Sequence, residues 1–360
     1  MRIIIMAKIS VILANLGTPE APTSKEVSSF LGEFLSDPRV VDVPQPKWGI
    51  ILRFIRLFRS PKVAKTYAQV WTEQGSPLMA ISGQQRDALQ VLLTKLYPQH
   101  QWTVALGMTY GQPNLKLVVP EVFAHQPDHV ILLPAYPQFS STTTLPVIDQ
   151  FNRGYADKNQ RFMPSFSVVR DYHLHQSYIQ ALAQSIKQHV AKLLQQDPKQ
   201  VDVSKYFSAS NKLFISYHGI PTRFAEQLKD PYPELCEQTT AALVQTLGLK
   251  PEQYQQTYQS VFGKEPWLVP QTDQSLEAHA KTHPNAQVVV ICPGFSADCI
   301  ETIEEIGQEN HEVFMHAGGK AYSWVECLNA DPTHIQALVD ILAPHIKLVE
   351  ETFASRVQIK

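Results

Sequence analysis

The chain has 360 residues, of which 44% are hydrophobic and 18% are charged, and its formal net charge is −2. This composition is typical of a globular protein, and the small net charge provides no basic field to attract nucleic acid, so we exclude a nucleic-acid partner. No window approaches the roughly 18 uninterrupted apolar residues that a membrane-spanning helix needs. The length predicts two domains.

The cysteines and the opening residues indicate the cellular compartment. The four cysteines include no C-x-x-C pair, so they signal neither a zinc ribbon nor a redox motif, and we expect reduced thiols. Residues 1–8 contain a short apolar run that Lys8 interrupts, which predicts no export signal. We therefore expect a cytoplasmic protein.

The first half of the chain alternates strands with helices. Strands are predicted at residues 11–16, 102–110, 129–134 and 166–169. Thr23 with Glu26 predicts the start of one helix, and Ser82 with Gln85 that of another. Further helices are expected from about residue 114 and at residues 179–193.

The second half alternates likewise, with strands at 213–218, 258–262 and 287–291 and helices at 234–247, 272–281 and from 298. Thr333 with Gln336 begins the last helix. Because strands that alternate with helices form parallel sheets, we predict an α/β fold of two similar doubly wound, Rossmann-like lobes. We expect lobes at residues 1–170 and 171–330, with 331–360 a C-terminal helix that packs back on the first lobe.

The two halves also echo each other in sequence. Residues 13–19 (Leu-Ala-Asn-Leu-Gly-Thr-Pro) parallel residues 215–221 (Ile-Ser-Tyr-His-Gly-Ile-Pro). Residues 134–140 loosely parallel residues 292–296, because both follow a strand and end in Phe-Ser. The spacing between the echoed segments is longer in the first half, and we place the insertion near residues 38–80.

The insertion contains a basic amphipathic segment at residues 47–62. Aromatic and aliphatic residues are interleaved there with lysines and arginines, a pattern typical of a helix at a membrane interface. One interpretation is a helix packed on its domain with solvated arginines. The other is an apolar lip that receives a membrane-borne substrate.

Candidate chemistry lies at two strand exits. His218 ends a buried strand that stops at Gly219, and ligands of open α/β sheets bind beyond the carboxyl ends of the strands. After a second strand, Glu301, Glu305 and Glu309 recur every four residues and form one ridge on a helix. Read alone, the histidine is satisfied by a backbone carbonyl and the ridge is a solvated surface. Together they suit proton transfer or the handling of a divalent cation such as Fe(II).

Eight motifs in the same chain order resemble those of ferrochelatase, and they cover nearly the whole sequence. They are residues 15–19, 74–77 (Gln-Gly-Ser-Pro), 136–140 (Tyr-Pro-Gln-Phe-Ser), 216–221, 230–233 (Asp-Pro-Tyr-Pro), 263–268 (Gly-Lys-Glu-Pro-Trp-Leu), 270–273 (Pro-Gln-Thr-Asp) and 295–305. The resemblance implies the chelatase fold and the insertion of Fe(II) into protoporphyrin IX, with release of two protons, as the last step of haem synthesis.

The resemblance also implies the roles of individual residues. His218 and Glu301 match the pair on opposite sides of the macrocycle, with His218 as proton acceptor and Glu301 shuttling protons or steering the metal; His218 as first metal ligand is the alternative. Glu305 and Glu309 match a row of acidic residues proposed to deliver iron to His218 and Glu301, on a helix that is expected to contain a π-type turn. The expected porphyrin contacts are Leu16, Tyr136, Phe139, Ser140, Tyr217, Trp267 and Leu268.

Some positions depart from the family pattern. Leu16 stands where other members often have Met or Tyr, Thr109 where some have an arginine thought to meet a propionate, and Cys299 where animal members have His. These departures put the propionate contacts in doubt, but not the reaction. The cysteine-rich tail that holds a two-iron, two-sulfur cluster in animal members is missing after Ile346, so we expect no cluster and no permanently bound cofactor.

Three other functions remain open at this stage. They are a coproporphyrin ferrochelatase, a cobalt chelatase of the same fold, and a non-catalytic two-lobed protein that binds haem or iron. We expect no metal at His173 and His175, whereas His311 and His316 near Glu309 are better candidates for outer iron contacts. Peripheral attachment at the inner face of the cell membrane through residues 47–62 is the alternative to a freely cytoplasmic enzyme.

Overall fold

The computed structural model describes residues 6–156 and 160–358. The first five residues, on which the expected absence of an export signal depends, lie outside the described part, as do residues 157–159 and the last two of the C-terminal segment. Among the helices of residues 6–156 and 160–358, none combines the length and the hydropathy that a transmembrane span requires.

Strands and helices alternate along most of the chain. The first half contains β1 (Lys8–Asn15), α1 (Ser24–Leu35), α2 (Gln45–Val70), α3 (Pro77–Leu96), β2 (Gln101–Met108), α4 (Leu115–Ala124), β3 (His129–Pro134), α5 (Thr144–Tyr155), β4 (Ser165–Val168) and α6 (Gln176–Leu194). The second contains α7 (Val203–Tyr206), β5 (Lys212–His218), α8 (Thr222–Glu226), α9 (Tyr232–Leu247), β6 (Tyr254–Gln259), α10 (Thr272–Thr282), β7 (Gln287–Ile291), a π-helix (Glu301–Glu309), α11 (Asn310–His316), β8 (Ala321–Trp324) and α12 (Pro332–Gln358).

Within the described residues, eight strands form two parallel four-stranded sheets with the same topology. The first sheet has the order β2-β1-β3-β4 and the second β6-β5-β7-β8. The central strand β1 is buried along nearly its whole length, as expected for a parallel strand covered on both faces. These sheets confirm the predicted α/β fold, and β5 occupies the place in its sheet that β1 occupies in the other. The two similar segments, residues 13–19 and 215–221, therefore lie at the carboxyl ends of equivalent strands.

The chain divides into two compact units. Unit 1 comprises Met1–Tyr136, Ser140–Asp171 and Ala330–Lys360, and unit 2 comprises Pro137–Phe139 and Tyr172–Asn329. In unit 1, α4 and α5 cover β1 and β3 with a core that includes Val119, Leu132 and Phe151. In unit 2, α10, α11 and the π-helix bury Phe214, Val290 and Phe314.

Among the predicted boundaries that differ from the structure, those of three elements have a clear physical reason. Helix α3 begins at Pro77 with Ser76 as its N-cap, and Ser82 lies inside the helix. Strand β6 is Tyr254–Gln259 and not 258–262. It is an edge strand of polar sequence, so it lacks the apolar run on which the prediction relied. Helix α12 begins at Pro332 after Asp331, whose carboxylate accepts the Thr333 N–H at 2.8 Å.

Helix α2, in the insertion, has apolar residues on two faces. One face packs against α1 through Trp48 and Leu52, and the Trp48 indole donates to the Leu35 carbonyl at 2.5 Å. The other face is exposed and carries Ile50, Ile51, Phe54, Leu57 and Phe58. The helix is therefore packed on its unit, and it also leaves an apolar surface uncovered.

Candidate active site

The candidate site of unit 2 lies where the strand order of its sheet reverses. From β5 the chain runs to β6 on one side and then to β7 on the other. Ligands of doubly wound sheets bind at this switch point, beyond the carboxyl ends of the strands. His218 is the last residue of β5, and the segment after β7 leads into the π-helix that begins with Glu301.

The hydrogen bond of His218 fixes which ring nitrogen is available for chemistry. Nδ1 lies 2.7 Å from the carbonyl oxygen of Gly219, which accepts only, so Nδ1 carries the proton. Nε2 of the neutral ring therefore keeps its lone pair for a proton or a metal ion. The ring is half-buried and lies 6.4 Å from that of Phe295. The hydrogen bond to a backbone carbonyl that the structural interpretation of His218 predicted is therefore present. It also leaves Nε2 as the nitrogen that is available to a proton or a metal ion.

Gly219 allows the next layer of the site to pack closely. Its N–H donates to the carbonyl of Gln259 at 2.7 Å, which joins the ends of β5 and β6. A Cβ at Gly219 would lie 3.0 Å from that carbonyl oxygen and 3.2 Å from the Trp267 indole. Backbone bonds from the Leu268 N–H to the Ile220 carbonyl, at 3.0 Å, hold the Trp267 segment in place. The Trp267 indole thus packs against Gly219, the residue that follows His218.

The acidic ridge lies on a π-helix over all nine residues of Glu301–Glu309. The wider turn is visible at its end, where the Asn310 N–H donates to the carbonyl of Glu305, five residues earlier. The Asn310 side-chain amide donates to the same carbonyl at 2.9 Å, and the Tyr322 hydroxyl donates to that of Ile306 at 2.6 Å. Because the looser winding keeps residues four apart close to one line, the three glutamates follow one another from half-buried Glu301 to exposed Glu309.

The start of the π-helix is fixed by a buried polar network. The Thr302 hydroxyl donates to the Asp298 carboxylate at 2.8 Å and accepts the Cys299 N–H at 3.0 Å. The Asn329 amide donates to Asp298 at 2.7 Å. These bonds hold the turn from which Glu301 projects.

Glu305, the middle carboxylate of the ridge, is held by hydrogen bonds from Ser260. Ser260 donates to both of its oxygens, from the backbone N–H at 2.7 Å to Oε1 and from the hydroxyl to Oε2. Burial raises the pKa of Glu305, while the Ser260 bonds and the charge of His218 lower it and the charge of Glu301 raises it. His218, Glu301 and Glu305 therefore share one electrostatic environment.

Sequence reasoning missed Gln259, which connects the parts of this site. Its side chain is 2% exposed. Oε1 accepts the Ser216 hydroxyl at 2.8 Å, and Nε2 donates to the Glu301 carbonyl at 2.9 Å. Two polar residues at the end of a strand, Gln259 and Ser260, could have indicated a site residue. The predicted bounds of β6 placed both residues inside the strand, so the sequence did not reveal them.

The cysteines near the site are buried neutral thiols. Burial raises the pKa of both Cys292 and Cys299 well above the usual value, and the carboxylates of Asp298 and Glu301 respectively act in the same direction. The Cys292 thiol donates to Gln259 Oε1 at 3.4 Å. A protonated thiol is a poor metal ligand, so the carboxylates and the imidazole are the candidate ligands.

Four residues of unit 1 were singled out in the sequence. Leu16 and Tyr136 are half-buried beyond the ends of β1 and β3. Ser140 is 1% exposed, and its hydroxyl closes the turn before α5 by accepting the Thr142 N–H at 3.1 Å. Thr109 is buried, and its hydroxyl donates to the Asn15 carbonyl at 3.1 Å, so its role is to join β1 to the end of β2.

The remaining predicted porphyrin contacts belong to unit 2. Phe139 and Leu268 are half-buried. Tyr217 is fully buried, with its hydroxyl 3.1 Å from that of Thr240, and it points to the opposite face of β5 from His218. The structure therefore places Tyr217 in the core and not beside His218.

The outer histidines lie at different places. His173 Nε2 is 2.8 Å from the Gln238 carbonyl oxygen, a structural bond that accounts for this buried side chain. His311 and His316 are exposed on α11, and the His311 ring packs 5.5 Å from Tyr322. Across the described residues, no three His, Cys, Asp or Glu side chains are grouped so that they hold a metal ion. The ridge is thus a series of separate carboxylates and not a preformed cage.

Comparison with known proteins identifies the family. The ferrochelatase family model matches residues 8–346. A ferrochelatase of Haemophilus influenzae is 46% identical over 92% of this chain and 96% of its own length. The ferrochelatase of Escherichia coli (strain K12 / DH10B) is 44% identical over 94% of this chain and 98% of its own length. The structure of SirB from Bacillus subtilis with Fe³⁺ covers 96% of this chain and 98% of its own, with a TM-score of 0.53 at 9% identity, which confirms the chelatase fold. The chain belongs to the ferrochelatase family.

Proposed function

We propose that this enzyme inserts Fe(II) into protoporphyrin IX at His218 and Glu301, releasing two protons and forming protohaem as the terminal step of haem synthesis. The observation that carries the assignment of residues is the Nδ1 bond of His218 to the Gly219 carbonyl, because in the neutral ring it leaves the lone pair of Nε2 available at the strand exit. The acidic residues Glu301 and Glu305 lie in the same electrostatic environment. A base beside a metal-attracting group is what metal insertion requires.

In the proposed mechanism His218 accepts the pyrrole protons. The neutral ring has a basic nitrogen, and the imidazolium that forms is stabilised by the nearby negative charge of Glu305. Glu301 steers the metal or passes protons on, and Glu309 and Glu305 attract the cation on its way from the surface. The reverse order, with Nε2 of His218 as the first ligand of Fe(II), uses the same lone pair.

The porphyrin contacts remain a prediction for Leu16, Tyr136, Phe139, Ser140, Trp267 and Leu268, whereas Tyr217, which is fully buried on the opposite face of β5 from His218, is not kept as a contact. Support is strongest for Trp267, because its indole packs next to Gly219 and is only half-buried. A flat porphyrin hides its nitrogen lone pairs, so a surface that favours a distorted ring would lower the barrier to insertion.

One assay separates this function from its rivals. The purified enzyme is given protoporphyrin IX or coproporphyrin, with Fe(II) or Co(II) under anaerobic conditions, and the Soret band is followed. We expect rapid conversion of protoporphyrin with Fe(II). A faster reaction with coproporphyrin would favour the coproporphyrin enzyme, and one with Co(II) only would favour a cobalt chelatase. A spectral shift on binding without any metalloporphyrin would indicate a two-lobed binding protein and overturn the proposal.

We further propose that the exposed face of α2 attaches the enzyme to the inner membrane surface. Phe58 and Leu57 are 74% and 64% exposed, and Phe54 beside them is 57% exposed. Arg53 and Arg59 flank these residues and suit anionic lipid headgroups. An apolar face with basic neighbours fits a lipid interface better than open water.

Liposome flotation tests this attachment. We expect binding to vesicles that contain anionic lipid, reduced at least severalfold by Phe58→Asp. The control is Val91→Asp, which places the same charge at a 68% exposed apolar position on α3. Equal flotation of the wild type and Phe58→Asp, or no flotation at all, would leave α2 as a helix packed only on its own unit.

We place the enzyme in the cytoplasm without a resident cofactor. Cys236, Cys292, Cys299 and Cys327 are buried free thiols, as suits a reducing compartment. Cell fractionation tests the compartment. Iron and sulfide analysis of the purified protein tests the cofactor, and stoichiometric sulfide would contradict the proposal.

A further inference from the structure

We propose that Ser260 is a positioning residue that holds the Glu305 carboxylate beside His218 for metal insertion. The inference rests on the proposed function and adds a residue to it. Ser260 is half-buried directly after β6, and it does not belong to the acidic ridge.

The contact is a two-point clamp. The Ser260 N–H donates to Oε1 of Glu305 at 2.7 Å, and the Ser260 hydroxyl donates to Oε2. Since each carboxylate oxygen receives one donor from the same residue, both the position and the plane of the carboxylate are fixed. Each oxygen has a second lone pair, so the clamped carboxylate is still able to attract a cation.

The backbone at Ser260 shows why the side chain matters. Ser260 has a φ of 65°, in the left-handed region that favours glycine. Glycine would satisfy this backbone with less strain and would still supply the N–H. What serine adds at this position is the hydroxyl, and the hydroxyl is bonded to Glu305.

The preceding residue fixes the clamp to the rest of the site. The Gln259 carbonyl accepts the Gly219 N–H at 2.7 Å, next to His218, and the Gln259 side chain donates to the Glu301 carbonyl at 2.9 Å. The end of β6 therefore holds Glu301 by its backbone and Glu305 by its side chain. The distance from His218 to both residues is set by one short segment.

Ser260→Gly is the decisive variant, because it removes the hydroxyl without straining the backbone. Ser260→Ala removes the same hydroxyl and keeps the Cβ, so it separates the loss of the hydroxyl from the greater backbone freedom of glycine. Asn285→Gly is the matched control, since Asn285 is exposed and has a similar φ of 68°. Thermal melting establishes that each variant is folded before kinetics are compared.

Two readouts test the proposal. The first is the split between KM and kcat at constant pH, for which we expect KM for Fe(II) to rise severalfold in Ser260→Gly, because a carboxylate that is no longer held in place attracts the cation less effectively. KM for the porphyrin should stay unchanged. Ser260→Ala should show the same rise in KM for Fe(II), and Asn285→Gly should behave as the wild type.

The second readout needs no turnover. Infrared difference spectra of the ¹³C-glutamate protein, taken against Glu305→Gln at constant pH, report the carboxylate stretching bands of Glu305, and we expect these bands to shift in Ser260→Gly because one of the two hydrogen bonds is lost. Unchanged bands and an unchanged KM for Fe(II) in Ser260→Gly would overturn the inference. If the wild type forms no metalloporphyrin, the proposed function fails, and the infrared bands still decide whether the clamp exists.

Discussion

The side-chain amide of Gln259 donates to the backbone carbonyl of Glu301 at 2.9 Å, so the first residue of the π-helix is fixed to the strand that pairs with the His218 strand. The same side chain accepts the Ser216 hydroxyl at 2.8 Å. The relative placement of His218 and Glu301 thus depends on one buried amide from a neighbouring strand.

Gln259→Leu should lower kcat more than it disturbs the fold. The change leaves the Glu301 carbonyl and the Ser216 hydroxyl without this partner, which we expect to destabilise the protein by about 1–3 kcal/mol. Displacement of Glu301 should lower kcat roughly tenfold or more, because small misplacements in an active site have large effects. Steady-state kinetics and thermal melting measure the two effects. Gln255→Leu, on a half-buried position of the same strand, is the control. Equal losses in both variants would contradict the positioning role.

His218→Ala should abolish insertion in a folded protein. General base catalysis contributes about 10²–10⁴-fold, and the same nitrogen is the alternative metal ligand, so we expect a loss of at least 10³-fold. The side chain is half-buried and is hydrogen-bonded to the carbonyl of the next residue, Gly219, so unfolding is not expected. Haem formation and circular dichroism check both statements. Turnover within tenfold of the wild type would refute the assignment.

Glu309→Gln should raise the iron requirement while leaving porphyrin affinity nearly unchanged. Glu309 is exposed at the outer end of the ridge, so its charge acts on the arriving cation and not on the bound macrocycle. We expect a severalfold rise in KM for Fe(II) that diminishes at high ionic strength, because salt screens exposed charges. Glu312→Gln, another exposed acid on the following helix, is the control. An unchanged iron dependence would return Glu309 to the solvated surface.

Gly219→Ala should damage the site, whereas Gly83→Ala should not. The new methyl at Gly219 would lie 3.0 Å from the Gln259 carbonyl and 3.2 Å from Trp267, tighter than ordinary contact. We expect a destabilisation of about 1–3 kcal/mol and weaker porphyrin binding as Trp267 is displaced. Gly83 lies in α3 with open space around its Cβ position, so alanine there should stabilise the helix by about 0.5–1 kcal/mol. Denaturant unfolding and porphyrin fluorescence titration compare the two; similar porphyrin affinities would exclude the packing role of Gly219.

Acid should destabilise unit 1 through His129. His129 Nε2 and His345 Nδ1 lie 3.0 and 2.9 Å from the Ser167 hydroxyl, between β3, β4 and α12. Burial, with a smaller effect of His345, lowers the pKa of His129 to about 4. Because the unfolded chain binds a proton near pH 6.5, this contribution to stability is complete above that pH and is lost as the pH falls towards 4.

The expected loss between pH 7 and pH 4.5 is about 2 kcal/mol for this one group. Urea unfolding at both pH values measures it, and His129→Gln should show a smaller decrease than the wild type. His311→Gln, a change at an exposed histidine on α11, should lose as much stability as the wild type does over this pH range. Identical pH dependence in His129→Gln and the wild type would mean that His129 is already charged in the folded protein.

Local pattern predicted the elements with strong signals. The run of valines predicted β7 at 287–291 with the bounds that the structure has, because a buried parallel strand is continuously apolar. Strand β6 was misplaced because an edge strand needs no such run. The start of α3 was misplaced because Ser82, read as a cap, instead accepts a hydrogen bond from Asn15 within the core at 3.2 Å.

The sequence by itself determined the alternating α/β fold and the two similar segments at strand ends, and it predicted His218, Glu301, Glu305 and Glu309 as site residues, because each depends on local periodicity or on a continuous motif. Only the tertiary structure decided that Tyr217 is a core residue, and that Gln259 and Ser260 hold the glutamates. These roles come from hydrogen bonds between residues about 40 positions apart. Such bonds form because parallel strands bring distant segments to the same edge of a sheet, and no local pattern records which polar side chains meet there.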